Sequence, residues 1–310
     1  MIKYLVILLD DTSTSFCHYN HNYKERNLIN VEVLKKAVTY AMKENLIIQY
    51  VYPDYDIPEI YKDVIDEMVH VNIVPIGSPV SAEAIVIDGM SEFSSQIFTA
   101  NQSYILRIDY KSFINEWESL LPSLEIISRL NIVYTDVCDF QDDDSLRYAQ
   151  VLDEFSNKLK ELFERGFSPQ VNILTDRLFL NKMNNCNAGV ECITLAPDGK
   201  LYVCPGFYYD SLGSIGSIDN GLAINNPKLY CLDHAPICRI CDSYHCKRCV
   251  WLNRKTTLEV NTPSHEQCVM SHIERNASRL LKHSMNNCQF YAEIPEINYL
   301  DPFDELTKRI

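Results

Sequence analysis

The first 175 residues alternate short apolar runs with stretches whose apolar positions recur every three or four residues. Those are the two periods of buried strands and amphipathic helices. Strand-length runs occur at Tyr4–Leu9, Leu46–Val51 (stopped by Pro53), Val71–Val74, Ala84–Ile87, Tyr104–Ile108, Asn131–Tyr134 and Val171–Leu174. Between them the spacing predicts a helix over Val31–Asn45, with Leu34, Ala37, Val38 and Ala41 on one face. A second is predicted over Pro58–His70 and a long third from Ser145 to Arg165, capped by Gly166. Strands alternating with helices imply parallel βα units and an α/β class; roughly six units suit a partial (β/α) barrel as well as a doubly wound sheet.

The pattern changes near residues 176–186, where DRLFLNKMNNC reads as a strand running into a loop. Beyond it come turns and cysteines, with one further helix predicted from Ser264 to His283. Pro263 precedes it, and Ile273, Leu280 and Leu281 are its apolar contacts. Residues 286–310 are acidic and carry two prolines, as expected of a tail that is disordered or laid along a surface. The expected organisation is a barrel-like domain over 1–180, a cysteine-rich domain over 181–285 and an acidic tail over 286–310.

Charge removes several classes of partner. At −14 overall, the chain lacks the basic surface that a nucleic acid or an anionic membrane requires. Only six apolar residues (Tyr4–Leu9) precede Asp10 and Asp11, too few for a signal peptide, and no run of eighteen apolar residues occurs, so a cytoplasmic location is expected. Glycine is scarce at nine residues, and no glycine-rich phosphate cradle is present.

Twelve cysteines in such a chain point to metal rather than disulfides, because the cytosol keeps thiols reduced. Only Cys17 and Cys138 precede residue 186, and ten follow. Eight of those ten are spaced as ligands: Cys186, Cys192, Cys204 (in LAPDGKLYVCPGF), Cys238-x-x-Cys241, Cys246-x-x-Cys249 and Cys268. Eight thiolates complete two four-thiolate sites, each suited to tetrahedral zinc or to a [4Fe–4S] cube. Eight cations against five acids over residues 231–285 leave this segment positive. Such cations can offset the −2 charge of a tetrathiolate cube, although singly they read as solvated surface groups.

CNAGVECITLAPDGKLYVCPGF, followed by SIGSID, the C-x-x-C-x4-C-x-x-C ladder and a trailing cysteine, resembles the SPASM domain. That domain is the C-terminal extension of many radical-SAM peptide-modifying enzymes and carries two auxiliary [4Fe–4S] clusters. The resemblance covers residues 186–270, with middle spacings one residue shorter than the common form. It implies one cluster on Cys186, Cys192, Cys204 and Cys249, and another on Cys238, Cys241, Cys246 and Cys268. The fold it implies for the first half is a degenerate partial (β/α) barrel of radical-SAM type. The opening MIKYLVILLDDTSTSFCHY, with CKRCVWLN and EQCVMSHIERN, is also similar to the CXXX repeat peptide maturases.

One part of the radical-SAM pattern is missing. The loop after the first strand, DDTSTSFCHYNHNYKERN, has a single thiol where that family has C-x3-C-x2-C, and no Gly-Gly-Glu segment follows. No S-adenosylmethionine is therefore expected. Cys17, His18 and His21, with Asp10 or Asp11, form a candidate metal set, but polar loop residues are the simpler reading. Cys138, Cys231 and Cys288 read as structural or incidental.

The function these readings imply is the maturation of a ribosomally made peptide with Cys-containing repeats. The chain would be a non-catalytic peptide-binding or electron-relaying partner of a radical-SAM enzyme. The alternatives are a peptide-modifying redox enzyme in its own right and a zinc-stapled binding module.

Overall fold

The computed structural model describes residues 1–285; the acidic tail and Cys288 lie outside the described residues. The chain packs as two compact units assembled from interleaved segments. The first takes residues 1–86, 186–235 and 250–252; the second takes 87–185, 236–249 and 253–285.

The first unit opens with β1 (Tyr4–Leu8), α1 (Val31–Glu44), β2 (Ile47–Val51), α2 (Glu59–Ile65), β3 (His70–Pro75) and β4 (Ala84–Asp88). β1 to β4 lie side by side in chain order and in parallel, with Tyr4 opposite Ile47 and Ile48 opposite His70. Consecutive parallel neighbours joined by right-handed crossovers keep winding in one direction, as in a barrel, whereas a doubly wound sheet reverses order. β1 is buried along four of its five residues, as a strand covered on both faces requires. α1 buries the four residues its period predicts, Leu34, Ala37, Val38 and Ala41, and Asn30 caps it by accepting from the Glu32 N–H.

The second unit begins with α3 (Met90–Ser95), β5 (Ser103–Ile108) and α4 (Tyr110–Glu116), which continues into a 3-10 turn over Trp117–Glu125. It goes on with β6 (Arg129–Tyr134), α5 (Ser145–Glu164), β7 (Gln170–Val171) and α6 (Asn172–Phe179). β5, β6 and β7 are again parallel and consecutive.

Three expectations from the periodicity are corrected. The apolar run at 171–174 is a strand only as far as Val171. Asn172 turns its amide onto the Ile132 main chain, accepting from N–H at 2.8 Å and donating to C=O at 2.9 Å. Thr175 takes the Val171 N–H, so side chains replace the ladder and a helix follows. The helix predicted to His70 stops at Ile65, because the chain must extend by His70 to pair with β2. Leu280, expected as an apolar contact, is 55% exposed.

The first unit resumes with β8 (Cys192–Leu195), β9 (Lys200–Tyr202), α7 (Pro205–Tyr209), β10 (Gly216–Ser217) and β11 (Gly221–Leu222). β8 is parallel to β1, and β9 to β11 continue as an antiparallel meander, so the unit's strands are ordered β11, β10, β9, β8, β1, β2, β3, β4. The Pro-Asp-Gly turn joins β8 to β9. Gly199 takes φ +77° there, a conformation that costs a side chain dearly, while Asp198 accepts the Lys200 N–H. α8 (Val250–Thr257) and α9 (His265–Ser284) complete the described residues. Among the described residues no helix is long and apolar enough to cross a membrane.

Candidate metal centre

In the second unit the ladder Cys238–Cys249 lies against the first turns of α9. Ser264 caps that helix by accepting the Gln267 N–H. Cys268, Ser271 and His272 then occupy positions i, i+3 and i+4, which share one helix face. That face, with Cys238, Cys241, Cys246 and Arg248, walls a narrow cavity of about 20 Å³. The four cysteines assigned by resemblance to one cluster are thus brought to a single cavity.

Burial disfavours negative charge on two of these sulfurs, and hydrogen-bond donors and cations around them oppose it in part. Burial pushes the Cys241 thiol up to about 11, but the Ser243 N–H donates to its sulfur at 3.4 Å and Arg275 pulls the other way. Burial also raises Cys246, opposed by a hydrogen bond from Ser271, by the Arg248 N–H at 3.4 Å and by the Arg248 charge. Arg248 and Arg275 are the largest fully buried side chains among the described residues, at 1% and 0% exposure. Reading these two as solvated surface charges is therefore corrected. Arg248 also holds φ +41°, a left-handed backbone unfavourable to a long side chain. The strain sits between Cys246 and Cys249 and turns the main-chain N–H onto sulfur.

Asp242 pins the strap between Cys241 and Ser243. It is fully buried and accepts from Arg275 at 3.0 Å and from Arg279, with Arg177 at 3.6 Å. His272 places Nε2 3.3 Å from the Cys241 sulfur, and burial, then Arg275, depresses it to about 3, so the ring is neutral. Sequence reasoning missed His272, although its spacing from Cys268 on a predicted helix was the available signal.

Two observations bear on which group these residues fit. Among the described residues, no three of His, Cys, Asp and Glu are grouped so as to hold one metal ion. Zinc would need its sulfurs within 2.3 Å of one point, whereas a cube takes one thiolate at each of four separate irons. The Ser243 Oγ, buried at the same cavity, has no hydrogen-bond partner among the described residues. A hydroxyl in that position suits a sulfur acceptor. The donor set and the buried cations fit a tetrathiolate cube.

The remaining predicted ligands occupy the first unit, apart from Cys249 at the end of the 236–249 segment. Cys186 is exposed, Cys192 is buried at the start of β8, and Cys204 directly precedes α7. Burial, and then the neighbouring Cys186, pushes the Cys192 thiol up. Of the cysteines read as incidental, Cys138 is exposed and Cys231 donates to the Pro227 carbonyl at 3.7 Å.

The first half of the loop after β1, residues 10–19, is packed, while residues 22–27 are exposed. Asp10, fully buried, accepts from the Thr12 N–H, the Asn27 N–H and the Tyr55 hydroxyl at 2.7 to 2.8 Å. Asp11 accepts from Asn27 at 2.9 Å and from the Tyr208 hydroxyl. His21 bonds the Ser13 carbonyl and stacks on Tyr209 at 4.6 Å. Cys17, His18 and His21 therefore do not assemble into a single-ion site.

No protein-family model matches the chain, and no curated protein sequence matches it. Solved structures do. Native anSMEcpe with bound AdoMet and Cp18Cys peptide superposes with a TM-score of 0.58 at 11% identity, over 93% of this chain and 100% of that one. The same protein with bound AdoMet and Kp18Cys peptide gives 0.60 at 11%, over 92% and 100%. Its hexahistidine-tagged form with bound AdoMet gives 0.60 at 12%, over 93% and 100%. At these identities the likeness is one of fold: the chain is an open partial (β/α) barrel of the radical-SAM type.

Proposed function

We propose that this protein is an iron–sulfur partner in the maturation of a ribosomally synthesised, Cys-rich peptide. The reading rests first on one observation: Cys238, Cys241, Cys246 and Cys268 wall a single cavity whose buried neighbours include Arg248 and Arg275. These four residues would hold one [4Fe–4S] cluster, and Cys186, Cys192 and Cys204 belong to the second set that the SPASM resemblance implies. Bound there, such clusters supply one-electron transfer. The chain's own part is to fix the thiolates on α9 and on the Asp242-pinned strap, to balance their charge with buried guanidiniums and to keep water away.

Support for a peptide partner comes from anSMEcpe, whose structures hold peptides on the same fold. Support for a non-catalytic role comes from the loop after β1, where Asp10 and Asp11 anchor a closed hydrogen-bond network in place of a thiolate triad. A radical-SAM enzyme would supply the chemistry.

Anaerobic purification with iron, sulfide and zinc quantified tests this. The two-cube composition gives about eight iron per chain, and replacing Cys241 and Cys268 by alanine removes roughly half. Zinc without sulfide would replace the reading with a stapled binding module. Production of 5′-deoxyadenosine from S-adenosylmethionine by the isolated protein would overturn the non-catalytic part.

A further inference from the structure

The first unit carries a second cavity, remote in character from the cysteines. It opens beyond the carboxyl ends of β2 and β3, where parallel α/β sheets form their ligand crevices. Its walls are the segments 52–57 and 75–81 with the end of α2, and its volume is about 660 Å³.

Most of its charged groups are carboxylates. Asp54, Asp56 and Asp66 line it against a single ammonium, Lys62, which Glu59 holds at 3.0 Å. Asn72, only 9% exposed, lines it too, and donates from Nδ2 to the Ser81 carbonyl at 3.1 Å. That bond fixes the amide's orientation and leaves Oδ1 as a buried acceptor with no hydrogen-bond partner among the described residues. The phenol of Tyr52 is pushed up to about 12 by burial and then by Asp66, so it stays neutral. Tyr55 already receives a guanidinium: the Arg26 head lies 3.9 Å from its ring centroid, the geometry of a cation–π contact. Pro53, Ile57, Ile65 and Val80 supply apolar wall.

Carboxylates and an orphan buried acceptor demand a donor that carries positive charge. Apolar wall beside them suits the alkyl stem of such a donor. We propose that this cavity binds an organic cation, an ammonium or guanidinium on an alkyl chain. Resting on the function proposed above, its source is a lysine or arginine side chain of the peptide partner.

Saturation-transfer NMR on the full-length protein tests the site, using acetyl-Ser-Gly-Lys-Gly-Ser-amide, its Nε-acetyl-lysine and glutamate counterparts, and free putrescine as probes. The lysine peptide is expected to bind, the acetylated and glutamate peptides are not, and raising the salt should weaken the contact. Asp56→Asn with Asp66→Asn, both at exposed positions, should weaken binding at least tenfold without changing the thermal melt. Asn72→Val should abolish it, provided the variant melts as the parent does. Binding of putrescine but not of the lysine peptide would overturn the peptide source and leave the cation site standing. Equal binding of acetylated and free lysine, or binding indifferent to the aspartate changes, would overturn the site itself. The iron content of the sample plays no part in this readout, so its failure and that of the cluster reading are separable.

Discussion

The Nε2 of His272 lies 3.3 Å from the sulfur of Cys241, and the imidazole is 1% exposed. Burial first, then Arg275, His245 and Arg279, lower its affinity for a proton to about 3 from 6.5. The unfolded chain therefore binds a proton that the folded chain refuses between those two values, and stability falls as the pH drops through that window. The contribution reaches on the order of 4 kcal/mol at the acid end. Urea unfolding of the metal-free protein at a series of pH values should give a shallower acid slope for His272→Gln than for the parent. Identical slopes would place the acid sensitivity elsewhere.

Asp242 is the common acceptor for Arg177, Arg275 and Arg279. Removing the carboxylate leaves buried guanidiniums beside one another, and breaking such a pair costs about 3–5 kcal/mol. Asp242→Asn should lose stability in that range by urea unfolding. Lys158→Ala, which breaks an exposed pair with Glu161 at 2.9 Å, should change it by no more than about 0.5 kcal/mol. A loss of similar size in both variants would show that Asp242 does not anchor the strap.

How much of this is legible in the sequence varies residue by residue. α1 is readable down to its four buried positions because a 3.6-residue period is local information. So is the cysteine ladder, whose ligands are neighbours in the chain. The stretch after Val171 misleads because apolarity alone does not register that Asn172 and Thr175 bond the main chain. Arg248 is opaque for a different reason. In CKRC it resembles any surface cation, and only tertiary packing puts it in the cavity wall with a left-handed backbone. Asn72 likewise shows itself as an orphan acceptor only once Ser81 is seen to hold its amide.

Arg248 leads to an electrochemical expectation. Reduction of a tetrathiolate cube adds negative charge, which a buried guanidinium nearby favours, so its loss lowers the reduction potential. Arg248→Gln should keep its iron and titrate at a more negative midpoint in an EPR-monitored redox titration. Lys255→Gln, at an exposed position, should leave the midpoint where it was. An unchanged midpoint in Arg248→Gln would mean that the guanidinium acts on folding alone.

Gly206 sits in α7 two residues after Cys204, and a Cβ built there would lie 2.6 Å from the Trp251 ring. Helix propensity by itself favours alanine over glycine by about 0.5–1 kcal/mol. The clash reverses that sign, because Trp251 is 4% exposed and is held by its Nε1–H to Asp210 at 2.7 Å. Overpacking of this kind costs about 1–3 kcal/mol. Gly206→Ala should therefore destabilise the protein, and Trp251→Leu should do so on its own by removing ring contacts and the Asp210 bond. Combined, the two changes should cost less than their sum by more than about 0.5 kcal/mol, since the smaller side chain frees the space that the new methyl needs. Urea unfolding of the four proteins closes the cycle. Strict additivity would mean that the indole yields without strain, and that the glycine after Cys204–Pro205 is there for some reason other than the approach of the Trp251 ring.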